Sequence, residues 1–242
     1  MRAIISRITK SDIFVSCYVA LMFATLQCLS FNLVEAQMPN QLEYVYNIEH
    51  MKGHLEKAVE NKENGNNSLT QAHILHPLVE IYDFIEAPLA AVDSNLNTSL
   101  FISLDELSKN VEKLDLSQFK EETERVNQML NNAIELIVPE DNSTLTLTVA
   151  SWLLDVANTE YESGVRDGKV TQIVEYQDAS GFISRAESLV NDTLPILNQT
   201  MKTSADQVMS LFPPLNSKVQ TKADIQTSIS EIRQKISNMT GI

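Results

Sequence analysis

"IEHMKGHLEKAVENKENGNNSLTQAHILHPLVEIYDFIE" (Ile48–Glu86) decides the fold class. Leu42, Val45, Ile48, Leu55 and Val59 precede the "NGNN" at 64–67, and Ile74, Leu78, Ile81 and Ile85 follow it. Both sets recur at i, i+3, i+4 and i+7, the period of an amphipathic helix with one apolar face. Asn and Gly are the residues a helix terminus prefers, so the stretch reads as a helical hairpin turning at Gly65. Pro77 removes a backbone donor, so it should bend the second helix or mark an interrupted start.

The same period continues along the chain. Helices are expected at about Ser103–Leu114, Ser117–Ile137, Thr144–Val165, Val170–Asn191, Thr200–Leu211 and Ser217–Ser237. "VPEDN", "RDGK" and "FPPLN" supply the breaks between them. One stretch, "STLTLTV" at 143–149, alternates as a strand would, and it also fits a capped helix start. The expected class is all-α. Gly65 and Gly168 correspond at a period near 102 residues, as do "LNTS" at 96–99 and "LNQT" at 197–200. Residues 41–138 and 144–240 are therefore expected to be two tandem helical-bundle repeats, each a hairpin, a short helix and a long helix.

Residues 1–36 have a different character. Arg2, Arg7 and Lys10 precede an apolar run from Ile13 to about Val34, and "VEA" ends at Ala36. This is the grammar of a secretory signal cleaved before Gln37; the alternative is an uncleaved membrane anchor. Either way the remainder is expected to be extracytoplasmic, secreted or on the outer face of the cell membrane. Cys17 and Cys28 fall inside the segment, so a chain cleaved there holds no disulfide and depends on its core. Beyond residue 36, 15 Lys and Arg stand against 30 Asp and Glu. Such a surface repels nucleic acid and anionic lipid and attracts cations. Asn66, Asn97, Asn142, Asn191, Asn198 and Asn238 open Asn-x-Ser/Thr sites, the pattern of a glycoprotein.

All four histidines, His50, His54, His73 and His76, lie in the opening stretch. "HMKGH" and "HPLVE" are i, i+4 pairs, and residues at that spacing share a helix face. His54 and His76 stand at nearly equal distance from the turn, as do His50 and Glu80. Folded as a hairpin, the two pairs can offer three imidazoles and one carboxylate to one ion. That set suits iron, copper or zinc and serves calcium poorly. His73, one turn nearer the bend, takes an outer or alternate role. The bland alternative is a polar face, either solvated or satisfied by hydrogen bonds in a seam. The corresponding part of the second unit offers Glu175 and Asp178 without a histidine, a harder set. Trp152 and Phe182 read as core anchors. No CxxC pair, phosphate-binding glycine loop or nucleophile elbow occurs, so no enzyme constellation can be assembled.

"GHLEKA" (Gly53–Ala58), "AHxxHP" (Ala72–Pro77) and "EYQDA" (Glu175–Ala179) are the sharpest words of a resemblance covering most of the chain beyond residue 40. It resembles the duplicated extracytoplasmic helical domain that accompanies high-affinity, oxidase-coupled iron permeases. Those permeases carry acidic motifs within several membrane spans, and this chain has neither. The resemblance implies a non-catalytic module linked to metal handling, partnered with a permease or another membrane complex, with no transport activity of its own. The competing expectation is an accessory subunit of a membrane-bound complex in which the histidines are merely polar.

Overall fold

The computed structural model describes residues 41–138, 142–217 and 219–242. The expected signal or anchor, its cleavage site and both cysteines lie outside the described residues. The described chain is all-α apart from one minimal β-hairpin. Helix α1 covers residues 41–63. It is followed by α2 (Asn67–His76), a π-helical turn (Pro77–Ile81), α3 (Tyr82–Val92), α4 (Ser94–Lys109) and α5 (Leu116–Ile137). Then come α6 (Ser143–Gly164), β1 (Val165–Arg166), β2 (Lys169–Val170), α7 (Ile173–Thr193), α8 (Gln199–Met209), α9 (Phe212–Ser217) and α10 (Lys222–Thr240).

The apolar period explains most of these helices. Helix α5 buries Phe119, Val126, Leu130 and Ala133, and α10 buries Ile225, Ile229, Ile232 and Ile236. Their ends are written locally. Asp115 and Gln118 form a reciprocal capping box at the start of α5, and α10 stops at Gly241, whose φ of 75° is left-handed. The "STLTLTV" stretch opens α6, because the Asn142 side chain accepts the Leu145 N–H. Its alternation arises because α6 is buried on several sides, packed by α7 and α10; such a helix loses its single apolar stripe.

Three expectations change. The short helix α4 starts at Ser94, well before Ser103, because Asp93 caps it by accepting from the Asn95 and Leu96 N–H groups. "FPPLN" is helical as part of α9. "RDGK" joins two short strands, with Asp167 (φ 52°) and Gly168 (φ 70°) both left-handed. That is the backbone a two-residue β-hairpin requires. Of the expected core anchors, Phe182 is fully buried, whereas Trp152 is exposed to 38 %. Asn97 is also buried, and its side-chain carbonyl accepts the Tyr82 hydroxyl at 2.7 Å. That amide is therefore not presented for glycan attachment.

What places the site is the crossing of α1 and α7. Contacts run from Glu49–Arg185 through Gly53–Gly181 to His54–Asp178, so residue numbers rise on one helix as they fall on the other. The helices are antiparallel. At their nearest point, a Cβ on Gly181 would lie 2.6 Å from the Gly53 carbonyl oxygen. A Cβ on Gly53 would meet the Phe182 ring at 2.7 Å. Neither glycine has room for a side chain, so the backbones touch and short side chains beside them can reach across. Buried Glu49, held by Arg185 and by Lys52 at 3.0 Å, fixes the crossing on one flank. Such a pair costs desolvation but strongly penalises any register in which one partner is lost.

Candidate metal centre

Helix α2 starts at its cap, Asn66, which accepts the Leu69 N–H. His73 and His76 follow at i, i+3 and share its inner face. Directly after His76 the ladder widens, and the Tyr82 N–H donates to the Pro77 carbonyl five residues back. The expected effect of Pro77 is thus a π turn, a feature often found at functional sites. Helix α1 contributes His54, next to Gly53 at the crossing. Helix α7 contributes Asp178, one turn before Gly181.

The carboxylate is the hub. Asp178 Oδ1 stands 2.7 Å from His54 Nδ1 and 2.8 Å from His73 Nδ1, and Oδ2 stands 3.2 Å from His76 Nδ1. One donor atom from each of these four residues lies within 4.8 Å of every other. Asp178, His54 and His73 are buried, whereas the His76 side chain remains 25 % exposed. The site therefore opens to solvent past His76. The edge of Phe182 closes the inner wall, its ring centroid 4.9 Å from that of His54.

Electrostatics separate the roles. Burial opposes ionisation of Asp178, but hydrogen bonds from His54, His73 and His76 outweigh it and hold the carboxyl well below the usual range. Burial pushes the His54 imidazole down, against the pull of Asp178. The Asp178 hydrogen bond raises His76 against its own burial, and nearby Glu80 and Glu175 add to the rise. Glu160 is pushed up to about 7 by burial and by the charges of Asp178 and Glu175. Carboxylates thus rim the open side of the cluster.

Of the residues read from the sequence, the structure brings together His54, His73 and His76. His73 is fully buried and touches Asp178 directly, a more central place than an outer role. His50 lies a turn away, its ring stacked at 5.1 Å on His54 and edge-on at 4.4 Å to Phe182, with no contact to the carboxylate. Burial lowers its pKa to about 3. Glu80 is exposed at the rim, because the π turn changes the rotational register between it and His76. From the sequence Asp178 belongs to a separate, harder set with Glu175, whereas the fold brings it to the histidines. A signal for it was present: Glu175 and Asp178 repeat the spacing of His73 and His76 one period later.

The donor chemistry fits a transition metal. A tetrahedral ion with ligands about 2.0–2.1 Å away needs donors roughly 3.3 Å apart. The nitrogen–oxygen gaps of 2.7–3.2 Å are up to about 0.6 Å shorter than that, and no pair of donors is more than 4.8 Å apart, so side-chain adjustments of about an ångström would gather the four around one ion. Three imidazoles and one carboxylate suit iron, zinc or copper, and residues His54, His73, His76 and Asp178 would hold the ion.

No curated protein and no solved structure matches the chain. Residues 139–242, which contain Asp178 and the rim residues Glu160 and Glu175, match the iron permease-associated 4-helix bundle domain, the same kind of domain that the sequence resembles.

Proposed function

We propose that this chain is a non-catalytic, extracytoplasmic metal-binding module of a membrane-associated iron-uptake system. The observation that carries the reading is the convergence of three imidazoles from α1 and α2 on a buried carboxylate from α7. The match of residues 139–242 to an iron permease-associated domain supports a permease or membrane complex as partner. Among the described residues no helix is long and apolar enough to cross a membrane; attachment would come from a partner or from residues 1–36. Iron is the favoured cargo, and zinc or copper would fit the same donors. In this reading residues 41–138 and 144–240 are copies of one unit, and the site forms where their hairpins meet. Left-handed glycines at both hairpin turns, Gly65 and Gly168, support the duplication.

The test is titration of the purified chain with Fe²⁺, Zn²⁺ and Cu²⁺ by calorimetry, beside the His54→Ala/His76→Ala double variant. One ion per chain, lost in the variant, is expected. Identical titrations for both proteins would end the metal reading. The second reading, an accessory subunit, is favoured by exposed Val79, Phe84, Val92, Phe101 and Ile102 between the π turn and α4, since apolar side chains left in water often mark docking faces.

A further inference from the structure

We propose that Asn61 and Gln177 are positioning residues that keep the His73 proton on Nε2, so that Nδ1 is the one atom His73 can give to a metal. The second half of this statement rests on the metal reading above; the first concerns the metal-free protein.

Ring protonation is read from partners, so the chain of partners must start from a group with no ambiguity. That group is the Lys57 backbone carbonyl, which can only accept. Asn61 Nδ2 donates to it at 2.8 Å. Reversing the Asn61 amide would set oxygen against oxygen, so its orientation is fixed. The same Nδ2 donates to Gln177 Oε1 at 3.0 Å, and Gln177 Nε2 donates back to Asn61 Oδ1 at 3.1 Å. Two amides joined in this way lock each other. Gln177 therefore presents its oxygen to His73 Nε2, 2.8 Å away. An amide oxygen cannot donate, so the ring nitrogen carries the proton. Asn61 and His73 are 2 % and 0 % exposed, so both ends of this chain of bonds are shut off from water, with half-buried Gln177 between them.

The other ring nitrogen, Nδ1, faces Asp178 Oδ1 at 2.8 Å. With Nε2 committed to Gln177, Nδ1 is the ring atom left to face the carboxylate and any metal ion held there. Among the described residues, His54 and His76 have no amide acting on their Nε2 atoms. The fold thus commits one ring in advance, and it is the most deeply buried one. A ligand whose partner fixes tautomer and ring plane loses less freedom on binding.

The test uses long-range ¹H–¹⁵N spectra of histidine-labelled full chain, metal-free and with Zn²⁺, together with Gln177→Leu and Gln177→Glu. The wild type should show a proton on His73 Nε2 in both states, with Nδ1 changing on zinc addition. Gln177→Leu should mix the tautomers and weaken zinc binding about 10–100-fold. Gln177→Glu, which keeps an acceptor oxygen, should restore both. A bare Nε2 on His73 in the wild type overturns the proposal without any variant needing to fold. So does a Gln177→Leu protein with wild-type spectrum and affinity. If the wild type takes up no zinc, the metal reading falls with the Nδ1 half, while the metal-free spectrum still decides the tautomer.

Discussion

The α1/α2 hairpin and the α6/α7 hairpin each turn on a left-handed glycine and carry opposite chemistry. The first turns at Gly65 (φ 71°) and holds every histidine of the chain; the second turns at Gly168 (φ 70°) and holds Glu160, Glu175 and Asp178. Neither holds all four donors of the cluster. Imidazoles without a carboxylate leave a divalent charge uncompensated in a buried place, which is costly. Carboxylates without imidazoles are a hard, hydrated set with little preference for transition metals. Closing one hairpin on the other supplies three neutral donors, one anion and an acidic rim. If the halves are copies of one unit, they have diverged by dividing the labour of a single site.

Removing the carboxylate from the second hairpin is the strongest way to break this arrangement. Asp178→Ala should reduce transition-metal binding more than 100-fold, beyond the range typical of outer-shell changes. It should also destabilise the metal-free protein by about 3 kcal/mol, as the loss of one partner from a buried charged network does. Calorimetry and urea unfolding measure the two effects. Retained affinity would move the site away from α7.

Next comes the contact that joins the hairpins. The Cβ of Gly181→Ala would stand 2.6 Å from the Gly53 carbonyl oxygen, and backbone cannot step aside as a side-chain tip can. The helices must separate, at a cost of about 1–3 kcal/mol. Because His54 and Asp178 sit beside this point, metal affinity should fall along with Tm. A variant that loses stability but keeps full affinity would show that the site does not depend on the crossing.

The contrast between hairpins also explains what could be read in advance. Helices are local: apolar spacing and caps such as Asp115 and Asn142 announce α5 and α6 without any tertiary knowledge. His54 and His76 were legible as a pair because a hairpin fixes which residues stand level. Asp178 was not, since it lies 124 residues from His54, and its reach depends on two glycines that have no periodic pattern. Glu80 fitted α-helical arithmetic, and the π turn after His76 broke that arithmetic.

His50 allows a quieter comparison, within the first hairpin. It packs on His54 and Phe182 yet touches no carboxylate, and burial lowers its pKa from 6.5 to about 3. The unfolded chain therefore takes up the proton first as pH falls. Stability from this group is complete above about pH 6.5 and is lost toward pH 3, at up to about 1.4 kcal/mol per pH unit. His54, also lowered, acts in the same direction. His76, raised, opposes them by adding stability below its unfolded pKa that fades as pH rises through its folded value. The depressed Asp178 contributes above the ordinary carboxylate pKa of about 3.9 and matters only in stronger acid. His50→Phe should keep the aromatic stack and flatten the loss of stability between pH 6 and 4, while metal affinity changes less than with His54→Ala. Unfolding measured across that range decides it; an unchanged slope would mean that His50 titrates normally.

The smallest expected effect is at the rim. Glu80 is exposed, and its influence on His76 is a through-space attraction across the open side of the site. An exposed carboxylate near a charged opening concentrates cations and speeds their arrival, and salt screens it within about 10 Å at 0.1 M ionic strength. Glu80→Gln should therefore slow metal association a few-fold at low salt and make little difference at high salt, with the dissociation rate unchanged. Stopped-flow binding at two salt concentrations separates these outcomes. A large, salt-independent rise in the dissociation rate would instead make Glu80 a direct ligand, drawn in by closure of the π turn, and the turn would then add a donor of its own to those of α1, α2 and α7.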